Sequence, residues 1–242
     1  MKKYFLFITF LLLQTNFFAQ TESFDHSLFT EVLKYSVNDE GLVDYQKIKE
    51  DNNFSEYISL ISIAEISLLD ENEKLAFYIN AYNASIIKNV IDNLPINSPM
   101  DVEGFFKKKK FKIAGEELTL DEIEYQKVLK INSVLPHFGL VCAAKSCPEL
   151  LNHAYEGKTV IPQLEQNAKK YLDDTSQNRL DRKNKILYLS ELFKWFGKYF
   201  KEEYGSLINL VTEFINDSDK KFLEENKVEI KFLKYNWELN AQ

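Results

Sequence analysis

The residues best suited to chemistry lie together in one short stretch of the chain. Both cysteines, Cys142 and Cys147, and one of the three histidines, His137, fall within it. Residues 138–142 begin with an apolar run that predicts a buried strand, and Ser146 has a side chain of the type that caps a helix. Cys147 would then lie at a helix N-terminus, where free N–H groups and the helix dipole favour a thiolate. The pattern predicts Cys147 as a nucleophile and His137 as its base.

The same cysteines allow other interpretations. Free cysteine is often buried, so Cys142 could simply pack in the core. The two thiols are five positions apart and could form a disulfide in an oxidising compartment. The residues His137, Cys142, Cys147 and His153 are separated by four, four and five residues. This spacing lacks the close pairing that is usual in zinc sites. We therefore expect no metal site and no cofactor, and the reactive thiol, the disulfide and the core thiol stay open.

The composition is that of an ordered, acidic protein. The 242 residues are 45% hydrophobic, which is ample for a core, and the formal net charge is −7. This charge argues against a nucleic-acid partner, and the basic run Lys107–Lys110 is interpreted as a solvated loop. No repeat or linker divides the chain. We predict one domain over residues 20–242.

The N-terminus resembles a secretory signal. Lys2 and Lys3 precede an apolar run over residues 4–13, and a small residue, Ala19, stands before the expected cleavage site. Residues 1–19 are therefore predicted to be a signal peptide, and the protein is predicted to be exported to the periplasm or the cell exterior. The run is too short for a membrane span, so we expect no stable span after cleavage.

Apolar periodicity and capping residues place most of the elements. Asp70 to Glu73 and Thr119 to Glu122 have the pattern of capping boxes and are predicted to open the helices 71–93 and 119–129. The predicted helices cover 24–34, 52–63, 71–93, 119–129, 147–153, 162–172, 190–200, 207–214 and 221–225. The predicted strands are 111–118, 138–142, 179–189 and 228–235, of which 111–118 and 179–189 contain turns. The fold class is therefore predicted to be α+β: a single, mostly helical domain around a small, mainly antiparallel β-sheet.

Three polar side chains in these helices are further site candidates. Asn80 and Asn83 share one face of the helix 71–93, and asparagine is a poor choice inside a helix unless its amide finds a partner. Each could orient a catalytic group, or could be a buried amide that bonds a neighbouring loop. Glu124 lies shortly before the cysteine stretch and is a candidate acid or orienting carboxylate, or else a solvated helix residue.

Five blocks of sequence together resemble the family known as domain of unknown function 547, which occurs in bacteria and plants. They are Phe77–Ala84, Thr119–Glu124, His137–Pro148, Leu189–Trp195 and Tyr235–Asn240. The resemblance covers nearly all of the chain after the signal, with the blocks in the family's order. It implies no established reaction.

The chain departs from the family pattern in three places. Tyr125 stands where the family usually has His after the Glu, Ala143 stands where a Gly is common, and Asn236 stands where Asp is usual. The first departure removes a Glu-His pair that would be an obvious acid/base unit. Without this pair, the chain would have either an impaired site or His137 as the true base.

Two functions of different classes fit these residues. The first is a thiol-dependent hydrolase or acyl transferase, with Cys147 as nucleophile, His137 as base, and Glu124 or Asn80 orienting the imidazole. Its substrate would be a small molecule, a peptide or an envelope component. The second is a non-catalytic binding domain for a protein, peptide or envelope glycan, with structural or disulfide-bonded cysteines. A redox role ranks third, because the Cys-x4-Cys spacing is wider than the usual exchange motif.

Overall fold

The computed structural model describes residues 23–242. Its central element is the helix α4 (Glu71–Asn93), which is buried on nearly all sides. Asp70 accepts a hydrogen bond from the Glu73 N–H at the start of this helix, and the helix ends before Leu94 and Pro95. A helix that is apolar all round must be enclosed by other elements. The predicted bounds and capping residue of α4 are confirmed.

The elements before and after α4 in the chain pack around it. Three helices precede it: α1 (Ser27–Ser36), α2 (Tyr45–Lys49) and α3 (Asn52–Ser62). An antiparallel hairpin follows, formed by β1 (Lys110–Ile113) and β2 (Glu116–Thr119), with Phe111 opposite Leu118. The predicted hairpin is confirmed. Its burial pattern alternates along β1 because one face packs on the core.

Thr119 then starts the helix that carries the acidic site candidates. Its side chain accepts a hydrogen bond from the Glu122 N–H, and the Glu122 carboxylate accepts one from the Thr119 N–H, which is the predicted capping box. Helix α5 (Leu120–Ile123) continues through a π-helical turn (Glu124–Val128) into α6 (Leu129–Ile131). Single π turns inside helices often occur at functional sites.

The C-terminal part adds helices and a second sheet. Helix α7 (Val160–Asp173) packs on α4, and the strands β3 (Arg179–Asp181) and β4 (Ile186–Ser190) form the second predicted hairpin. Four short helices follow: α8 (Leu192–Trp195), α9 (Gly197–Tyr204), α10 (Leu207–Phe214) and α11 (Asp217–Glu225). Strand β5 (Glu229–Leu233) then pairs with β4 in parallel. The α+β class is confirmed, but the strands form a two-stranded and a mixed three-stranded sheet instead of one sheet.

Two predictions around the cysteines were wrong. Residues 138–142 are not a strand, because Leu135–Phe138 is a 3-10 turn and the following backbone is irregular. Asn83 from α4 bonds the Gly139 carbonyl and the Val141 N–H, which replaces a strand partner. Residues 147–153 are not helical either, and Ser146 caps no helix; its N–H donates to the Asn236 carbonyl.

Within residues 23–242, no helix is both long and apolar enough to cross a membrane. The predicted signal peptide, residues 1–19, lies outside the described residues.

Candidate functional site

A cavity of about 160 Å³ opens between α5, α8, the loop 139–148 that holds both cysteines (the cysteine loop) and the C-terminal segment 235–242. Six aromatic side chains line it: Tyr82, Phe106, Trp195, Phe196, Tyr235 and Trp237. Five residues of chemical interest line it as well: Asp121, Glu124, His137, Cys142 and Cys147. The remaining lining residues are Leu140 and Leu192. The structure therefore brings three of the four predicted site residues into one pocket.

The two cysteines form a disulfide in the wall of the pocket. Both are partly exposed, and the Cys142 N–H donates a hydrogen bond to Cys147 Sγ over 2.9 Å. The Tyr235 hydroxyl lies 3.1 Å from Cys147 Sγ and 3.2 Å from Cys142 Sγ. Of the alternatives left open by the sequence, the structure contains the disulfide. Cys147 has no free thiol in this state, and no helix N-terminus is present to activate it.

His137 is enclosed by aromatic rings. Its imidazole stacks on Phe196 with ring centroids 3.8 Å apart and meets Phe200 edge-on at 5.3 Å. Burial lowers the pKa of His137 to about 3, although the nearby Ser133 backbone raises it slightly. The ring is therefore neutral at physiological pH. Neither ring nitrogen has a well-formed hydrogen bond to any residue in 23–242. Among residues 23–242, no side chain orients this histidine as a general base.

Glu124 is the most perturbed carboxyl of the pocket. It begins the π-helical turn, and only 9% of its surface is exposed. Burial first, and the charge of Asp121 second, raise the pKa of Glu124 to about 8. No donor from the described residues bonds its carboxyl group, so at neutral pH the pocket contains a protonated carboxylic acid.

Asp121 lies three positions before Glu124 and lines the same cavity. Burial raises the pKa of Asp121, and Lys107, whose Nζ lies 3.9 Å from Asp121 Oδ2, lowers it. Two carboxyl groups at this spacing fall on one face of a helix. Because they interact, Asp121 carries the negative charge of the pair while Glu124 keeps its proton.

Asn80 lies outside the pocket. Its side-chain amide donates to the Tyr155 carbonyl over 2.8 Å and accepts from the Tyr155 N–H over 2.9 Å. Both ends of the amide are therefore used by one loop, and Asn80 makes no hydrogen bond with His137. The hydrogen bonds of Asn80 and Asn83 are those of buried amides that bond neighbouring loops. Their role as orienting residues stays a prediction.

Tyr125 is 44% exposed and does not line the cavity. The residue that stands in place of the family's histidine is thus outside the pocket in this chain. No cluster of three or more His, Cys, Asp or Glu side chains in residues 23–242 is arranged to hold a metal ion.

Sequence reasoning missed Asp121 and the aromatic wall as site residues. The available signal was the position of Asp121 and of four of the six aromatic residues inside the five blocks that carried the family resemblance; Phe106 and Phe196 lie outside these blocks. Each block contributes at least one lining residue: the first Tyr82, the second Asp121 and Glu124, the third His137, Cys142 and Cys147, the fourth Leu192 and Trp195, and the last Tyr235 and Trp237. Blocks that are far apart in the chain converge on this one cavity.

Comparisons with known proteins give a family but no activity. Searches of curated proteins and of solved structures find no match. A family model described as "Protein of unknown function, DUF547" matches residues 66–172, which include α4, α5, the cysteine loop and α7. The resemblance seen in the sequence is confirmed for the three blocks within residues 66–172, and these residues belong to the DUF547 family of proteins of unknown function.

Proposed function

We propose that this protein is a binding domain whose aromatic pocket takes a small organic cation, either free or as a side chain of a peptide. The observation that carries the proposal is the lining of the cavity. It combines six aromatic side chains with Asp121 and Glu124, and among the described residues it contains no Lys or Arg. Aromatic faces attract cations, most strongly where water is excluded. An anionic ligand would meet no opposite charge in this lining.

Binding is favoured over thiol catalysis by the state of the two central residues. The Cys147 sulfur is bonded to Cys142, so it cannot attack a carbonyl carbon while the disulfide persists. His137 is neutral and has no hydrogen-bond partner in the described part of the chain to orient it. In the oxidised protein these residues contribute shape and apolar surface to the pocket wall.

The volume of the pocket limits the size of the ligand. A cavity of about 160 Å³ has room for about five water molecules at about 30 Å³ each. That is enough for a quaternary ammonium group or the end of one side chain, and too little for an oligosaccharide. Among the ligand classes that the sequence suggests, the geometry therefore favours a small molecule or a peptide side chain over a glycan.

The proposal places this binding outside the cytoplasm, in a protein that is one domain after residue 19. The signal-like N-terminus supports export, and disulfides such as Cys142–Cys147 persist mainly in oxidising compartments.

The test uses the tryptophans of the chain. There are two, Trp195 and Trp237, and both line the pocket, so intrinsic tryptophan fluorescence reports on this site alone. The oxidised protein is titrated with choline and with 3,3-dimethylbutan-1-ol, which has the same shape without the charge. We expect a saturable change with choline and a weaker one with the alcohol, because only the cation gains from the ring faces and Asp121.

Two variants make this titration specific. Asp121→Asn should weaken choline binding by about tenfold, because it removes a charge–charge attraction of about 1.4 kcal/mol between the carboxylate and the quaternary ammonium, which has no N–H to donate. It should leave binding of the alcohol unchanged. Glu122→Gln changes a neighbouring carboxyl that does not line the cavity and should have no effect on either ligand. Equal affinity for choline and the alcohol, equal choline affinity in the Asp121→Asn variant, or no saturable change at all would refute the proposal.

A further inference from the structure

The Cys142–Cys147 disulfide does not have the position expected of a disulfide that stabilises a core. Both cysteines are partly exposed and line the pocket rather than lying in the core. The bond joins residues only five positions apart. In the chain-entropy model such a short loop contributes about 2 kcal/mol of stability, the low end of the usual range. An accessible disulfide that stabilises little is a candidate for chemistry.

The two sulfurs are not equivalent. Cys147 Sγ is within reach of two donors, the Cys142 N–H at 2.9 Å and the Tyr235 O–H at 3.1 Å. Of the donors in the described residues, only the same Tyr235 hydroxyl reaches Cys142 Sγ, at 3.2 Å, and that hydroxyl has a single proton to donate. Hydrogen bonds to a thiolate stabilise it, as they do any anion. If the S–S bond breaks, Cys147 is the better thiolate.

Both donors are held by contacts other than the disulfide. The neighbouring Val141 N–H is fixed by Asn83, which holds the backbone that leads to Cys142. The Tyr235 ring packs against Trp195 and Trp237 with centroids 4.7 Å apart in each case, and its N–H donates to the Glu191 carboxylate. The donors should therefore remain in place when the bond is reduced.

The charges around the sulfurs do not reverse this preference. The titratable groups that line the pocket are Asp121, Glu124, His137, Tyr82 and Tyr235. Near neutral pH, Glu124 is protonated, His137 is neutral, and burial raises the pKa of both tyrosines. Asp121 is the negative charge of this lining, and it opposes a thiolate on either cysteine. The Cys142 N–H, which donates to Cys147 Sγ, is what separates the two sulfurs.

We infer that Cys142–Cys147 is an exchangeable disulfide that oxidises small thiols, with Cys147 as the sulfur released as a thiolate. A thiolate RS⁻ attacks Cys142 Sγ, the S–S bond breaks, and Cys147 departs as the stabilised anion. A second RS⁻ attacks the external sulfur of the mixed disulfide, which forms RSSR and releases Cys142 as a thiolate. The two protons lost by the thiols end on the two cysteines. Two thiols are oxidised to one disulfide, and the protein disulfide is reduced to two thiols.

The inference does not rest on the proposed binding of a cation, and its test uses no such ligand. The folded, oxidised protein is treated with 2-mercaptoethanol, quenched with acid, and mapped by mass spectrometry. We expect reduction without unfolding and a transient adduct on Cys142. A disulfide that is reduced only under denaturing conditions, or an adduct confined to Cys147, would overturn the assignment.

The second measurement follows the reduced protein. The rate of alkylation of each cysteine by iodoacetamide is measured against pH, and Cys147 should titrate below Cys142. Tyr235→Phe should raise the midpoint of Cys147 by about one pH unit, because one hydrogen bond to the anion is lost. The rate at a pH below both midpoints should then fall about threefold, because the higher intrinsic nucleophilicity partly offsets the smaller thiolate fraction.

A matched control separates this effect from general damage to the pocket. The Tyr171 hydroxyl donates to the Ser146 carbonyl, one residue from Cys147, but contacts neither sulfur. Tyr171→Phe should leave the Cys147 midpoint unchanged. If both cysteines titrate together, or if Tyr235→Phe and Tyr171→Phe shift Cys147 equally, the hydroxyl of Tyr235 has no special role and the inference fails.

Discussion

Replacing Glu124 by Gln should make the protein more stable, and increasingly so as the pH rises. Glutamine has the shape of a protonated glutamate and cannot ionise. In the folded protein the pKa of Glu124 is raised to about 8 from an ordinary value of 4.5. The folded state therefore binds this proton more tightly than the unfolded state does. The wild-type protein loses stability as the pH rises between these two values.

The size of the effect follows from the two pKa values. A difference of about 3.5 pH units at about 1.4 kcal/mol per unit gives about 5 kcal/mol at full ionisation. The gain in free energy of unfolding of Glu124→Gln over the wild type should be about 2 kcal/mol at pH 6 and close to 5 kcal/mol at pH 9. Below about pH 4.5 the two proteins should differ little from this cause.

The assay is urea unfolding of the oxidised protein, followed by circular dichroism at several pH values. Glu122→Gln is the control on the same helix, because its effect on the free energy of unfolding should have the opposite sign as the pH rises. The hydrogen bond from the Thr119 N–H is the main reason that the pKa of Glu122 is lowered, so its charge stabilises the protein above its ordinary pKa and this contribution is lost in acid. A stability difference for Glu124→Gln that does not change with pH, or that declines as the pH rises, would refute the assignment of a buried, protonated carboxyl.

Two further substitutions test the supports of the pocket. Asn83→Ala removes the amide that bonds the loop 139–141 and leaves a carbonyl and an N–H unpaired in the core, so the free energy of unfolding should fall by about 2–4 kcal/mol in urea titrations. Asn72→Ala, at an exposed position of the same helix, should cost less than about 0.5 kcal/mol, and equal losses would contradict the bridging role. Thr119→Ala removes the capping box of α5 and should cost about 1 kcal/mol, measured by thermal unfolding against Thr175→Ala as an exposed control. No difference between these two variants would mean that the cap does not hold α5.

Local sequence signals were sufficient for the elements that are stabilised locally. The helix around Asn80, the capping box at Thr119 and both hairpins follow from capping residues, periodicity and turns, and each is present. The cysteine stretch was mistaken for a strand and a helix because its backbone groups are bonded to side chains and segments that are remote in the chain. No local sequence pattern predicts that the Asn83 side chain will bond the backbone groups that a neighbouring strand would otherwise bond.

The composition of the site was predictable only in part. His137, Cys147 and Glu124 could be chosen by residue type, and they meet in one pocket. Trp195 and Trp237 could not be chosen in this way, because an aromatic residue in a helix or near the chain end is usually a core or surface residue and not part of a site. The disulfide could be named as an alternative from the sequence. Its contact with the Tyr235 hydroxyl could not, since Tyr235 lies 88 positions from Cys147 in the chain.

The last segment of the chain has a consequence for the order in which the molecule is built. Residues 235–242 provide Tyr235 and Trp237 to the pocket, and they are anchored far away in the chain: Asn240 accepts a hydrogen bond from the Tyr45 hydroxyl and donates its N–H to the Ala143 carbonyl. Contacts of such large sequence separation form late in folding. During synthesis the helices around α4 and both cysteines leave the ribosome before residues 235–242 do, so this wall is the last part of the pocket to become available for folding.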